Sequence, residues 1–500
     1  MQPRDRAAGE KTCPAFPGSR VLPADPRYRT LSRGFNQRFE GKPAYIEVCG
    51  SAEQVRDAVQ LAVDHHLRIT VRCGGHCYED FVSSNTGGVI IDLAPLRCIS
   101  REREDHYGVE GGCTLWDVYT QLYKRYGVTL PAGTCYSVGV GGHVTGGGYG
   151  ALCRKHGLTV DYLAAVELVR VNKQGKAEIA TARRDATTES ERELVWAHCG
   201  GGGGNFGVVT KFWFKSLPPA PEEAYLVGLA WDWKDIDLKA FRHLLTEFST
   251  FLAEQSGPNS PYKDLFAELH LNHRSAGKIG LVAFHVGKET TPADDFVDRI
   301  KPPGVQLRLD GGDKGKPYGR RMPWLEATQT LNRSGDNMRG KYKGAFMRRP
   351  FPAEQIEVLW KFLTDERYHN KNASLQIDSY GGQVNAVASQ ATAFPHRDSI
   401  MILQYQAHWP NAKGRSEEGD GDDTNLEWIR RFYASMYGER GPYPDDIVDG
   451  TYVNFPDVDL KNWQYLYYKA NYPRLQQVKK SSDPLNVFNH AQSVELPEKP

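Results

Sequence analysis

The sequence predicts an α+β protein in two lobes, on three observations. Fifty of the 500 residues are Gly, concentrated before residue 208, against a usual share of ~7%. In that same stretch short strand-like runs alternate with helical ones, which fits an α+β or α/β lobe. From about Phe214 glycine thins out and longer mixed segments follow, separated by loops. At about 150 residues per domain the length sets a prior of about three domains or lobes.

Composition narrows the function classes. The 62 Lys+Arg against 61 Asp+Glu leave a net charge of +1, which excludes the whole-chain basic footprint of a nucleic-acid-binding protein. With 40% hydrophobic and 25% charged residues the chain is globular, and no stretch reaches the ~18–20 apolar residues that cross a bilayer. The opening Met1-Gln-Pro-Arg-Asp5 and the residues after it contain no apolar core of a secretion signal, so the chain as it stands reads as cytoplasmic. An exported, processed form would look the same. All nine Cys lie between Cys13 and Cys199. Cys73-Gly-Gly-His-Cys77 is the nearest approach to a metal-ligand pair and has no second half, so no metal site is predicted. The chain's size argues against a disulfide scaffold.

The elements follow in order. Ser51 can cap a helix whose Val55, Ala58, Val59 and Ala62 fall at i, i+3, i+4 and i+7. Arg68–Arg72 alternates like a strand and runs into Cys73-Gly-Gly-His76, and Gly87–Asp92 reads as a buried strand. Thr114 with Asp117 starts a capped helix that buries Leu115, Val118 and Leu122. Beyond Phe214 the helix candidates are 238–255 and 353–364, and the strand candidates 279–286 and 400–407. Loops are expected at 218–222, 301–320 and 411–423.

Three glycine clusters carry the chemistry. They are Val71-Arg-Cys-Gly-Gly-His76, the run Pro131 to Gly150, and Gly200-Gly-Gly-Gly-Gly-Asn-Phe-Gly-Val-Val209. Glycine permits positive φ and lets backbone N–H groups approach an anion closely, so repeated Gly-rich turns suit a bound diphosphate. None matches a P-loop, and Gly139-Val-Gly-Gly-His143 lacks the spacing of a dinucleotide Rossmann site.

These motifs resemble the berberine-bridge-enzyme-like branch of the FAD-linked oxidases. So do Pro131-Ala-Gly-Thr-Cys135, Val138-Gly-Val-Gly-Gly-His143, Gly146-Gly-Gly-Tyr-Gly150 and the tail Asn486-Val-Phe-Asn-His-Ala-Gln-Ser493, in order over nearly the whole chain. Tyr380-Gly-Gly and Ala393-Phe-Pro-His-Arg397 bring it closest to the bacterial members of the aclacinomycin-oxidoreductase and hexose-oxidase types. The resemblance implies the two-lobed, vanillyl-alcohol-oxidase/PCMH-like α+β fold. An FAD lobe (1–213) would be completed by a C-terminal return (451–500), and a substrate lobe (214–450) would roof the flavin with an antiparallel sheet.

The resemblance also implies roles. FAD would be held by two covalent bonds, His76 to the 8α carbon and Cys135 to C6, since imidazole and thiolate can both add to an electron-poor ring. Arg72, Gly74, Gly75, Gly141, Gly142, Gly148, Asn205, Gly207, Val208 and Asn489 would complete the cofactor site. His143 would donate near the N1/C2 edge, and Val138 would sit at an oxygen gate. Tyr452, Tyr149 and Tyr380 match the family's active-site tyrosines: Tyr452 as base, Tyr149 stabilising its phenolate by a hydrogen bond to which a nearby cation or His would add, and Tyr380 orienting substrate or serving a second oxidation. Phe455 departs from the family's Tyr-x-Asn-Tyr pattern and removes a hydroxyl there. His396, Arg397, Tyr467 and Tyr468 are read as structural. The implied reaction is oxidation of a hydroxyl on a sugar or glycosylated natural product, with O2 as electron acceptor and neither nucleic acid nor membrane as partner. Two alternatives remain: oxidative cyclisation or dehydrogenation of an alkaloid or polyketide, and a flavin-binding protein without turnover.

Overall fold

The computed structural model describes residues 16–309, 317–332, 334–335, 337–410 and 421–498. The predicted loops 301–320 and 411–423 fall partly outside these residues, as do the chain's opening and Cys13. Asp422 and Asp423 belong to a helix, Asp422–Tyr437, rather than to the predicted loop. Its first turn is polar, which hid its start.

Three sheets organise the chain. In the first, β1 (Ser19–Val21), β2 (Tyr45–Val48), β3 (Ile69–Arg72) and β4 (Val89–Asp92) run in the order β1-β2-β4-β3, with the last three parallel. All four residues of β4 are buried, as a central parallel strand requires. The helix Ala52–Asp64 joins β2 to β3. Ser51 Oγ accepts the Gln54 N–H at 3.2 Å, and Val55, Ala58, Val59 and Ala62 are its buried face. The second sheet is antiparallel: β5 (Ile99–Arg103), β6 (His106–Glu110), β7 (Leu163–Val171), β8 (Ala177–Arg183) and β9 (Val208–Lys215), ordered β5-β6-β9-β7-β8. Thr114 and Asp117 form the reciprocal capping box of the helix Leu115–Tyr126, which ends at left-handed Gly127.

The third sheet is also antiparallel. It holds β10 (Glu223–Asp232), β11 (Leu265–Asn272), β12 (Lys278–His285), β13 (Arg308–Leu309), β14 (Gly319–Pro323), β15 (Arg339–Met347), β16 (Ala373–Ser379) and β17 (Met401–Trp409). The order is β13-β10-β12-β11-β16-β17-β15, with β14 also paired to β10. One face packs on helices: Tyr405 meets Phe432 and Tyr433 of Asp422–Tyr437 edge-on. Because side chains alternate along a strand, the intervening Gln404 and Gln406 face the other way, into a cavity.

Residues 451–498 return to the first two sheets. Phe488 enters the core containing Val55 and Ile91. The fully buried Lys479 ammonium donates to the carbonyls of Asn205 (2.8 Å) and Phe488 (2.6 Å) and pairs with Asp483 at 2.5 Å. The Val494 N–H reaches Asn205 Oδ1 at 2.7 Å.

A buried ion network ties the tail, β15 and the N-terminal region together. Lys341 Nζ pairs with Glu79 and, at 2.6 Å, with Asp457; Lys343 pairs with Asp457 at 2.6 Å and Asp459 at 3.0 Å. Arg38 completes it on Glu79 at 3.1 Å. Breaking such a network strands a charge away from water. Lys341→Met should therefore cost the holoprotein about 3–5 kcal/mol in denaturant unfolding. Lys461→Ala, at an exposed pair with Glu439, should cost about 1 kcal/mol at most.

Candidate active site

A cavity of about 440 Å³ lies between the cavity face of the third sheet and the glycine clusters, within the ~300–1,000 Å³ of ordinary ligand pockets. Four arms of the chain build it.

The first arm leaves the end of β3. Arg72 is anchored by Nη1 to the Leu31 carbonyl and lies 3.7 Å from Asp92. Gly74 packs backbone to backbone on Gly139: a Cβ on Gly74 would fall 2.4 Å from the Gly139 nitrogen. His76 stacks on Phe35 at 4.6 Å, and its Nε2 meets Ser137 Oγ at 2.8 Å, leaving Nδ1 clear of that bond. Burial, and then the Arg72 charge, lower the His76 pKa to about 4, so the ring is neutral at physiological pH and keeps a lone pair for nucleophilic attack.

The second arm is the run 131–150. Cys135 sits half-buried in a turn closed by the Val138 N–H on the Cys135 carbonyl at 3.2 Å. The third-sheet lobe grips this turn: Asn332 Oδ1 accepts the Tyr136 N–H at 3.0 Å, and Ser334 Oγ accepts the Ser137 N–H at 3.1 Å. Cys135, Val138, Gly141, Gly142 and His143 line the cavity, and a Cβ on Gly142 would meet open space. His143 Nε2 accepts the Gly133 N–H at 3.2 Å, and burial lowers its pKa to about 4, so it is a neutral ring with its proton on Nδ1. Gly148 does not line the cavity.

The third arm is the Gly200–Val209 cluster with the tail. Asn205, Gly207, Val208 and Asn489 all line the cavity. Asn205 is fixed from both ends, donating to the Gly201 carbonyl at 2.9 Å and accepting from Val494. Its backbone neighbours are thereby held open as a glycine-lined wall.

The tyrosines form the junction with the fourth arm, the sheet. Tyr149 and Tyr452 stand edge to face, with ring centroids 5.6 Å apart, and both line the cavity. The predicted bond from Tyr149 to Tyr452 is replaced: the Tyr149 hydroxyl donates to Asp378 Oδ2 at 2.8 Å. The Tyr452 oxygen instead accepts from the Gly148 N–H (3.0 Å) and Asn454 Nδ2 (3.0 Å). Burial pushes Tyr452 up to about 12, and these two donors oppose that rise. Tyr380 is fully buried behind Tyr149 and does not line the cavity; its hydroxyl has no hydrogen-bond partner among the described residues. Phe455 packs on Tyr149, Tyr452 and Tyr78. His396 and Arg397 lie behind the site, on Asp449 and Asp161, whereas Tyr467 and Tyr468 reach the cavity wall.

Sequence reasoning passed over the sheet's contribution. Glu268, Gln376, Asp378, Gln404 and Gln406 present carboxylates and amides to the cavity from three neighbouring strands. The signal was the alternation Gln376-Ile-Asp378 and Gln404-Tyr-Gln-Ala-His408, polar at every second position. Tyr78, stacked on Tyr342 at 3.7 Å, and Asn454 were likewise unassigned. Among the described residues no cluster of His, Cys, Asp or Glu is arranged to hold a metal ion, and no helix is long and apolar enough to cross a membrane. Cys98 is disulfide-bonded.

The neutral His76, the half-buried Cys135 and the glycine-lined wall fit a flavin dinucleotide: two nucleophiles bound one region, and close backbone approach is available in another. Comparison with known proteins agrees. Residues 43–178 match the FAD binding domain family and residues 451–495 the berberine and berberine-like family. The chain is 39% identical to the aclacinomycin-N/aclacinomycin-A oxidase of Streptomyces galilaeus, over 95% of this chain and 89% of that one. It is 34% identical to the hexose oxidase of Chondrus crispus, over 94% and 93%. The crystal structure of a glycopeptide hexose oxidase complexed with teicoplanin superposes with a TM-score of 0.88 at 36% identity, covering 97% of this chain and 100% of that one. The fold is accordingly that of the FAD-linked, PCMH-like oxidases. The chain belongs to the berberine-bridge-enzyme-like family and is an FAD-dependent oxidoreductase of the carbohydrate and natural-product oxidase type.

Proposed function

We propose that this protein oxidises a hydroxyl of a sugar or glycosylated natural product, with FAD joined to His76 Nδ1 and Cys135 and with O2 as the electron acceptor, giving H2O2. Residues 1–213 and 451–500 would hold the cofactor and 214–450 the substrate. The observation that carries the reading is the make-up of the cavity wall: a buried tyrosine oxygen accepting two hydrogen bonds shares one cavity with a row of amide and carboxylate side chains. Such a row suits a ligand rich in hydroxyls, each of which can both donate and accept. It fits the alternative, an alkaloid or polyketide skeleton, less well. The sugar-oxidising names among the relatives support the same substrate class.

FAD, when bound, takes up a hydride and passes its electrons on. The chain's residues do the rest. A carbinol carbon releases hydride readily only as its hydroxyl proton departs, and Tyr452 takes that proton. Tyr149, tethered to Asp378, and the Gln376 and Gln404 amides orient the substrate. The neutral His143 keeps a hydrogen-bond donor in the site without adding a charge. Tyr380 acts from behind, as packing for Tyr149.

Three outcomes test this reading. Acid precipitation of the purified protein should leave the yellow flavin on the polypeptide; His76→Ala and Cys135→Ala should each retain it through the other bond, and the double variant should release it. Tyr452→Phe should slow anaerobic flavin reduction by substrate about 10²–10⁴-fold, the usual weight of a general base, with little change in binding. Val138→Ile should slow reoxidation by air in stopped flow while leaving reduction by substrate intact; a parent that air does not reoxidise would be a dehydrogenase.

A further inference from the structure

The family resemblance gives Gly148 to the cofactor site, yet it and Gly146 serve Tyr452. Gly148 offers its backbone N–H to the Tyr452 oxygen at 3.0 Å. It does so in a left-handed conformation, φ +71°, where a Cβ would also fall 2.4 Å from Thr159 Oγ1. Gly146 has an ordinary helical backbone, φ −88° and ψ −4°, so conformation does not require glycine there. Space does: a Cβ would lie 2.2 Å from Asn454 Oδ1 and 2.3 Å from its Nδ2.

The orientation of the Asn454 amide is fixed chemically. Its Nδ2 lies 3.2 Å from the His143 carbonyl, which can only accept. The same Nδ2, 3.0 Å from the Tyr452 oxygen, is therefore a donor to it. Among the described residues both hydrogen-bond partners of that oxygen are N–H donors, one from the backbone and one from a side chain. That is the arrangement that stabilises an oxyanion.

We propose that the Gly148 N–H and the Asn454 amide form an anion cradle for the Tyr452 phenolate, with Asn454 as its positioning residue and Gly146 conserving the room it needs. The proposal rests on the reading of Tyr452 as the base. The cradle replaces the cation or neighbouring phenol that a tyrosine base would otherwise require. Among the described residues, the titratable groups around Tyr452 are Tyr149, Tyr78, Tyr380 and, across Asn454, the neutral His143, with Asp378 one hydroxyl further away, held by Tyr149. None of them carries a positive charge, so the two donors are what favours ionisation. A phenolate in this cradle keeps both hydrogen bonds as the substrate proton arrives, and the proton enters from the cavity side.

The test is a direct titration. 3-Fluorotyrosine placed at position 452 of the full-length holoenzyme reports ionisation of that ring by 19F NMR, independently of turnover. Asn454→Ala and Gly146→Ala should each move the titration upward by about 1–2 pH units, the loss expected for one hydrogen bond to a charged oxygen. Asn454→Asp, of nearly the same shape, should move it at least as far, because an acceptor then replaces the donor; it covers the case of an Ala variant that fails to fold. The pH profile of flavin reduction in the unlabelled variants should shift in the same direction, with KM little changed. A titration of residue 452 that coincides in the parent and the Asn454 variants overturns the cradle. Unchanged flavin reduction in Tyr452→Phe overturns the base reading instead, and leaves the titration result standing.

Discussion

Removing a carboxylate from water costs several kcal/mol unless another charge meets it, and here the meeting point exists only when three distant stretches of chain arrive together. Glu79 comes from the loop after β3, Lys341 from β15 and Asp457 from the tail. Each stands close in sequence to a cavity residue: Glu79 next to Tyr78, Lys341 next to Tyr342, Asp457 two residues beyond Phe455. Settling the charges therefore settles the relative placement of the flavin-side loop, the sheet and the segment carrying Tyr452. The face-to-face stack of Tyr78 on Tyr342, inclined by only 10°, shows how closely the two sides are brought into register.

What was legible in the sequence was what is decided locally. The Ser51 cap and the Thr114–Asp117 box involve residues three apart, so their patterns predict the helices that form. The glycine clusters were legible for a similar reason, because a chain that must lie against another backbone, as Gly74 does against Gly139, tolerates no side chain. The cavity face of the third sheet was not legible as a site. A strand reading Gln-Tyr-Gln-Ala-His looks like an exposed edge until the helices covering its other face are in place. The boundary at residue 213 fell inside β9, which runs on to Lys215, because an alternation of Phe and Lys gives no sign of ending there.

The tyrosines show the same limit from another side. Motif context placed Tyr149 and Tyr452 in one site, and they do stand against each other. Motif context carries no information on which groups their hydroxyls meet. The partner Tyr149 takes is Asp378, 229 residues away, and Tyr452 is served by a backbone N–H, which no sequence pattern advertises. Hydroxyl chemistry is thus divided between two independent clamps, one on a carboxylate and one on donors, so adjacent phenols are held in opposite senses: Tyr149 donates a hydrogen bond while Tyr452 accepts two.

The return of the tail has a consequence for biosynthesis. Tyr452, Asn489 and His490 line the same cavity as His76 and Cys135, and Lys479 and Val494 fasten the wall made by Asn205. While residues beyond about 450 are still within the ribosome, the pocket lacks one of its sides and the Lys341 ammonium lacks Asp457. Until those residues arrive, His76 and Cys135 lack the wall that the tail supplies. Enclosure of the cavity therefore waits on residues 451–498, which are translated after all three sheets are complete.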